Sequence, residues 1–282
     1  MLRSFRSVLY IPASNARAMD KARSLPADAL ILDLEDAVAP DEKAQARDAL
    51  ADALGAGDFG ARVRLVRVNG LGTPWAEADI KAFARHAGVD GLILPKVQTA
   101  DDLDALAARV PAIPLWAMME TPLAMLNAAA IAGHPRLAGM VMGTNDLAKD
   151  LGSRARADRL PLITGLGLCV LAARAHGKVI VDGVYNTLRD DAGFAAECQQ
   201  GRDMGFDGKT LIHPAQIAAA NAAFSPSSDD VALARRQIEA FETALKAGQG
   251  VAVLDGRIVE NLHVAAARAT LARAEAIAAS GI

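Results

Sequence analysis

The sequence predicts a (β/α)8 barrel of the TIM type, followed by a carboxy-terminal helix–hairpin–helix extension. Three observations carry this prediction. Short apolar runs recur eight times along the chain, separated by alanine-rich amphipathic stretches. That alternation is expected of parallel strands joined by crossover helices. The chain, at 282 residues, is close to the ~250 typical of such barrels. No glycine-rich dinucleotide fingerprint follows the first run, which argues against a doubly wound sheet.

The runs fall at residues 7–11, 29–34, 63–68, 91–94, 115–119, 139–142, 179–181 and 209–212. They are apolar almost throughout, as strands buried on both faces must be. A polar residue at the carboxyl end of such a strand is the first that can face a ligand, and in a barrel that end carries the active site. In chain order these positions hold Pro12, Ser14 and Arg17, then Asp33, Glu35 and Asp36, then Arg67 and Asn69. Pro95 and Lys96, Glu120, Asp146, Asp182 and Tyr185, and His213 with Pro214 complete the face.

After residue 224 the pattern changes. Ser225-Pro226-Ser227-Ser228-Asp229 breaks the chain with a helix-cap signal, and an amphipathic helix is predicted over 231–247. Asp255-Gly256 between two β-rich runs signals a hairpin turn. A last helix is predicted over about 261–279. The domains are therefore read as a barrel over 1–224 and an extension over 225–282, serving as a lid or an intersubunit arm.

Hydrophobic residues make up 52% of the chain and aromatic ones 4%, so a large aliphatic core is available. A formal charge of -3 without a dense basic block excludes an obvious nucleic-acid surface. The amino-terminal apolar run is too short for a secretory leader, and no run is long enough for a membrane span. The expectation is a cytoplasmic protein that binds small molecules and neither membrane nor nucleic acid. Cys169 and Cys198 have no metal-ligand spacing and are read as buried, reduced thiols.

Residues 115–146 hold the main chemistry. Two apolar runs each deliver one carboxylate at the far end, Glu120 and Asp146, with Thr121-Pro122 opening a helix between them and Gly133-His134-Pro135 closing it. Two carboxylates on neighbouring parallel strands suit magnesium, which takes oxygen ligands and keeps several waters. Singly, each has a plainer reading: Glu120 as a strand-end residue and Asp146 as a helix cap. Arg67 offers a planar fork that matches a carboxylate, or else an internal salt bridge to Asp33 or Glu35. Lys96 either balances excess acid or forms a Schiff base, although nothing in the sequence lowers its pKa. Arg17 and Lys21 follow the first strand at a helix opened by Ser14 as N-cap. There they either hold the phosphates of a nucleotide-like handle or lie on solvated helix surface.

The segments FRSVLYIPAS, LDLEDAV at 32–38, VRVNG at 66–70, LPKV at 94–97, METP, GTNDLA and DGRIVENLH resemble the HpcH/HpaI aldolase and citrate lyase β-subunit family, collinearly over nearly the whole chain. GVYNTLRD, GRDMGFDGKTLIHPAQ and GQGVAVLDGRIVENLH are most similar to its malyl-CoA group, above all the thioester hydrolases.

This resemblance implies that Glu120 and Asp146 ligate magnesium, with manganese as an alternative. Arg67, Glu35 and Lys96 would bind the substrate, and Asp36 would join Arg67 as a catalytic group. Coenzyme A, part of the substrate, would lie across the mouth against Pro12, Arg17 and Lys21. It also implies a homotrimer or homohexamer in which a carboxylate of the extension, Glu260 or else Asp255, reaches a neighbouring site. Many relatives place aspartate where this chain has Glu260. The added methylene moves the carboxylate outward by about 1.5 Å, which matters when proton transfer needs heavy atoms within about 3 Å. The implied activity is hydrolysis of a malyl thioester. Carbon–carbon cleavage in the same pocket and a non-catalytic accessory subunit are the rivals. A class II aldolase is disfavoured, because none of the five histidines matches a catalytic histidine, and His213 is read as structural.

Overall fold

The computed structural model describes residues 3–110 and 113–281. Met1 and Leu2, the start of the stretch weighed as a leader, and Ile282 lie outside the described residues. The chain divides into two compact units, one spanning Phe5–Phe224 and the other built mainly from Ser225 onward.

In the first unit, among the described residues, eight parallel strands close a barrel in chain order. They are β1 (Ser7–Pro12), β2 (Ala29–Asp33), β3 (Val63–Arg67), β4 (Gly91–Leu94), β5 (Leu115–Met119), β6 (Leu137–Met142), β7 (Val179–Asp182) and β8 (Gly208–Leu211). β8 pairs back onto β1, with Ser7 opposite Lys209. Around them run α1 (Ala16–Ala22), α2 (Lys43–Gly55), α3 (Ala76–Phe83), α4 (Ala100–Ala107), α5 (Pro122–Leu126), α6 (Ala128–Ala132), α7 (Thr144–Asp150), α8 (Leu160–Ala175), α9 (Asp191–Met204) and α10 (Ile217–Phe224).

Side chains alternate across each strand, and the alternation separates two cores. Val8, Ile31, Leu65, Ile93, Trp116, Met118, Val141 and Val181 fill the barrel interior. Leu9, Leu30, Leu32, Val66, Leu92, Leu115, Met140 and Ile180 pack with the helices. Trp116 fits inside because β6 offers it Gly139, where a Cβ would fall on the indole ring.

Three local expectations are corrected. Asn15 rather than Ser14 caps α1, its Oδ1 accepting from the Ala18 N–H at 3.0 Å. The helix expected after Thr121 is two short ones, broken at Asn127, whose side-chain amide donates to the Gln98 carbonyl at 2.9 Å. Asp182 does not face the barrel mouth. Val181 takes the inward position, so Asp182 points outward, where it accepts from Arg159 at 2.8 Å and Lys209 at 3.0 Å. Lys209 donates in turn to Glu197 at 2.7 Å. Strand-end position alone did not reveal which face the side chain takes.

In the second unit, α11 (Ser228–Lys246) opens with a capping box between Ser227 and Asp230. It is followed by the hairpin β9 (Ala252–Leu254) and β10 (Arg257–Val259), then α12 (Asn261–Ser280). Asp255 and Gly256 both take positive φ, 51° and 75°, as a two-residue hairpin turn of this type requires. Phe241, Ala244, Ala252, Val259 and Val264 form this unit's own core. Among the described residues no helix is long and apolar enough to cross a membrane.

Candidate functional site

The inward alternation carries polar side chains to the carboxyl end of the barrel. Asp33 ends β2, Arg67 ends β3, Glu120 follows β5, and Asp146 sits in the first turn of α7 after β6. Together with Tyr10, Pro12, Asp36, Met118, Thr144, Asn145 and Asn186 they line a cavity of about 350 Å³. That size suits a small ligand.

Arg67 is buried among acidic partners. Its Nε and Nη2 donate to the two oxygens of Asp33 at 2.7 and 2.6 Å. Its Nη1 reaches Glu35 Oε2 at 2.7 Å and Asp36 Oδ2 at 3.5 Å. The internal salt bridge weighed from sequence therefore forms, and the bidentate edge of the fork faces Asp33. Burial works against the Arg67 charge, yet the hydrogen-bonded Asp33 and the neighbouring acids hold its pKa well above the ordinary value.

Glu35 and Asp36 behave as a pair. Burial pushes Glu35 up to about 7, against the attraction of Arg67 and helped by Asp36. Burial also opposes ionisation of Asp36, but the Glu35 hydrogen bond and the Arg67 and Lys96 charges bring its pKa below the ordinary value. Of the two, Glu35 is the one that holds a proton more readily.

Glu120 is 1% exposed. Its Oε1 accepts from the Lys96 backbone N–H at 2.6 Å, which the left-handed conformation of Lys96, φ 52°, helps to present. Gly143 makes room for the carboxylate, since a Cβ there would fall on Glu120 Cβ and Oε2. Burial raises the Glu120 pKa, and the Lys96 N–H, Lys96 charge and Arg67 charge only partly offset it. Asp146 adds a second carboxylate that also pushes Glu120 upward.

A desolvated carboxylate, Glu120, with a second carboxylate, Asp146, on the same cavity wall is relieved by a divalent cation. The donor set is all oxygen, so the residues present fit magnesium. Among the described residues no group of three or more His, Cys, Asp or Glu is arranged to hold a metal. Further ligands to such an ion would be water or substrate oxygens. The Lys96 ammonium stands 3.8 Å from both Glu35 Oε1 and Asp146 Oδ2. Burial lowers its pKa, but Glu120, Glu35 and Asp146 outweigh that and raise it, the opposite of what a Schiff-base lysine needs.

The other sequence-predicted residues separate. Pro12 lines the cavity, whereas Arg17 and Lys21 are exposed on α1 and do not. Asn69 is structural, donating to the Leu34 carbonyl at 3.0 Å and Asp79 at 2.6 Å. The Tyr185 hydroxyl donates to Asp190 at 2.5 Å. His213 caps the 3-10 turn Pro214–Gln216, its Nδ1 accepting from the Ala215 N–H at 3.2 Å.

Glu260 belongs to the second unit. It is exposed at the N-cap of α12, and its own N–H donates to His263 Nδ1 at 3.0 Å. Asp255 pairs with Arg236 at 2.7 Å.

Sequence reasoning missed Tyr10, Met118, Thr144 and the reciprocal Asn145–Asn186 amide pair, with bonds of 2.7 and 3.4 Å. Tyr10 could have been found by stepping back two residues from Pro12, because residues i and i−2 share a strand face. Asn186 lies in an irregular loop, and no periodic signal marks it.

Comparison with known proteins places this geometry in context. The family described as HpcH/HpaI aldolase/citrate lyase matches residues 6–214. A (3S)-malyl-CoA thioesterase of Cereibacter sphaeroides (strain KD131 / KCTC 12085) is 66% identical over 275 residues, covering 98% of this chain and 96% of that protein. The citrate lyase subunit beta of Escherichia coli (strain K12) is 35% identical, covering 97% and 94%. The crystal structure of CitE from Mycobacterium tuberculosis in complex with magnesium, acetoacetate and coenzyme A superposes with a TM-score of 0.81 at 31% identity, covering 97% of this chain and all of that one.

Proposed function

Because the chain belongs to the HpcH/HpaI aldolase/citrate lyase family, we propose that it hydrolyses (3S)-malyl-CoA to malate and free coenzyme A, with magnesium at Glu120 and Asp146. The observation that carries the choice of reaction is the 66% identity, over nearly the full length, to a (3S)-malyl-CoA thioesterase. The desolvated Glu120 and its neighbour Asp146 beside the Arg67 guanidinium support the location. Magnesium and coenzyme A occur together in the related CitE structure. Manganese would suit the same oxygen donors.

Bound at these carboxylates, magnesium supplies Lewis-acid polarisation and charge neutralisation for the malyl oxygens. The chain's own groups do the rest. The Nη1 side of Arg67, with Glu35 and Lys96 beside it, orients the anionic end of the acyl group. Asp36, on the cavity wall 3.5 Å from Arg67, acts with it as an acid–base group. Pro12, Arg17 and Lys21 contact the coenzyme A portion.

Glu260 of a neighbouring copy, in a homotrimer or homohexamer, takes a proton from the attacking water. The C–O bond forms at the thioester carbonyl, the C–S bond breaks, and the proton passes to the departing thiolate. The longer reach of glutamate favours water over an acetyl methyl group as the proton source. We place this activity in the cytoplasm.

The test is incubation with (3S)-malyl-CoA and magnesium, following free thiol and glyoxylate in one sample. Thiol without glyoxylate is the expected result. Glyoxylate and acetyl-CoA without thiol would make the protein a carbon–carbon lyase. Neither product, with EDTA-treated protein behaving identically, would leave an accessory barrel and overturn the enzyme reading. A Glu260→Asp variant should gain lyase activity, and an unchanged product ratio would remove the argument from side-chain length.

A further inference from the structure

Tyr10 lies on the inner face of β1, next to Pro12 on the same strand face and opposite Ile31 of β2. Its ring packs on the barrel-interior cluster and lines the cavity. The Arg67 guanidinium sits 5.2 Å from the ring centroid, a cation–π contact that fixes the ring in place. The hydroxyl, however, has a poor partner: it donates to Met118 Sδ at 3.8 Å. Thioether sulfur is a weak acceptor, so the half-buried hydroxyl keeps hydrogen-bonding capacity to spare. Burial foremost, then the nearby Asp33, Glu120 and Glu35 carboxylates, outweigh Arg67 and push the Tyr10 pKa far up. The phenol is thus a donor on the cavity wall whose partner among the described residues is a sulfur rather than an oxygen.

We propose that Tyr10 is a specificity-determining residue of this pocket, its hydroxyl donating a hydrogen bond to the terminal carboxylate of the acyl group. This rests on the reading of the cavity as an acyl-CoA site, and it adds a group that selects for an acidic acyl chain. Arg67 shares its N–H groups among Asp33, Glu35 and Asp36, so a carboxylate held at its Nη1 side gains from a second donor. The tyrosine supplies one without adding charge.

The variant that tests this is Tyr10→Phe, which keeps the ring under Arg67 and removes only the hydroxyl. A hydrogen bond to a charged group is worth about 1.5–3 kcal/mol, or about 10- to 100-fold in affinity. A bond made equally in ground and transition states appears in KM. KM for malyl-CoA should rise by that factor with kcat within about threefold. The affinity for L-malate, measured calorimetrically with magnesium present, should fall in parallel. The preference for malyl-CoA over 3-hydroxybutyryl-CoA, which lacks the carboxylate, should shrink by the same factor.

Unchanged KM and unchanged malate affinity overturn the proposal. So does a loss confined to kcat. If the wild-type protein binds malate but releases no thiol from malyl-CoA, the hydrolysis reading fails, and the tyrosine is judged on malate affinity alone. If it binds neither, both readings fall.

Discussion

Replacing Gly143 by alanine should damage the pocket from behind. The glycine is fixed on two sides: its N–H donates to the Met119 carbonyl at 2.9 Å, and the preceding Met142 pairs with Met119 across β5 and β6. A methyl group placed there falls on Glu120 Cβ and Oε2. Rotation of the Glu120 side chain can clear Oε2 but not Cβ, whose place the backbone sets, so the ends of β5 and β6 must also part.

Two losses follow. Overpacking a close-packed site costs about 1–3 kcal/mol, and losing the Lys96 N–H bond to a charged oxygen costs about 1.5–3 kcal/mol. The expected destabilisation is about 2.5–6 kcal/mol. Urea unfolding followed by the fluorescence of Trp75 and Trp116, both in the barrel unit, measures it. A calorimetric magnesium titration should show affinity at least tenfold weaker, one of two carboxylates having moved. Gly167→Ala is the control: a Cβ there meets nothing within 4 Å, and alanine in mid-helix should gain about 0.5–1 kcal/mol. A Gly143→Ala protein with the wild-type unfolding midpoint and an unchanged magnesium isotherm would refute the packing argument.

Three further outcomes are expected. Glu35, raised to about 7 by burial, binds more protons in the folded than in the unfolded state. Its contribution to stability is therefore full below the ordinary carboxylate range and lost as pH rises through about 7; with EDTA present, Glu35→Gln should flatten the decline in urea midpoint between pH 5 and 8, and an identical slope would count against it. Lys209→Met leaves the fully buried Asp182 with Arg159 alone, so stability should drop by about 3–5 kcal/mol while magnesium affinity is unchanged. Glu260→Gln should cut thiol release at least 100-fold, whereas Asp255→Asn, which tolerates the left-handed turn and loses only a surface pair with Arg236, should stay within twofold; the reverse ranking would make Asp255 the acting carboxylate.

The strands were legible because a barrel buries both of their faces, so each appears as an uninterrupted apolar run whatever its neighbours. The Asp255-Gly256 turn was legible because its backbone conformation admits few residues. The place of Glu120 and Asp146 on the cavity wall was legible because position at a strand's carboxyl end is a one-dimensional property.

What failed was the side to which a side chain points. Asp182 and Asn69 sit at strand ends but serve the packing behind the barrel, held by Lys209 and Arg159 in one case and by Asp79 in the other. Barrel shear sets that choice, and local sequence does not encode it. Arg67 was ambiguous for a related reason. Its partners Asp33 and Glu35 arrive on a different strand, and only the register of β2 against β3, with Asp33 opposite Arg67, brings them into contact.

The ion cluster behind β7 and β8 also bears on how the barrel forms. Lys209 lies on the strand that seals the cylinder against β1, with its side chain wholly shielded from water. If β8 docked before Asp182 and Glu197 were in place, an ammonium would be stripped of hydration with nothing to answer it, a penalty of several kcal/mol. Sealing the cylinder, seating α9 and fixing β7 are thus energetically coupled through this cluster. Native-state hydrogen exchange should find the amides of β7, β8 and α9 opening with a single free energy; separate openings would mean that the seam closes piecemeal.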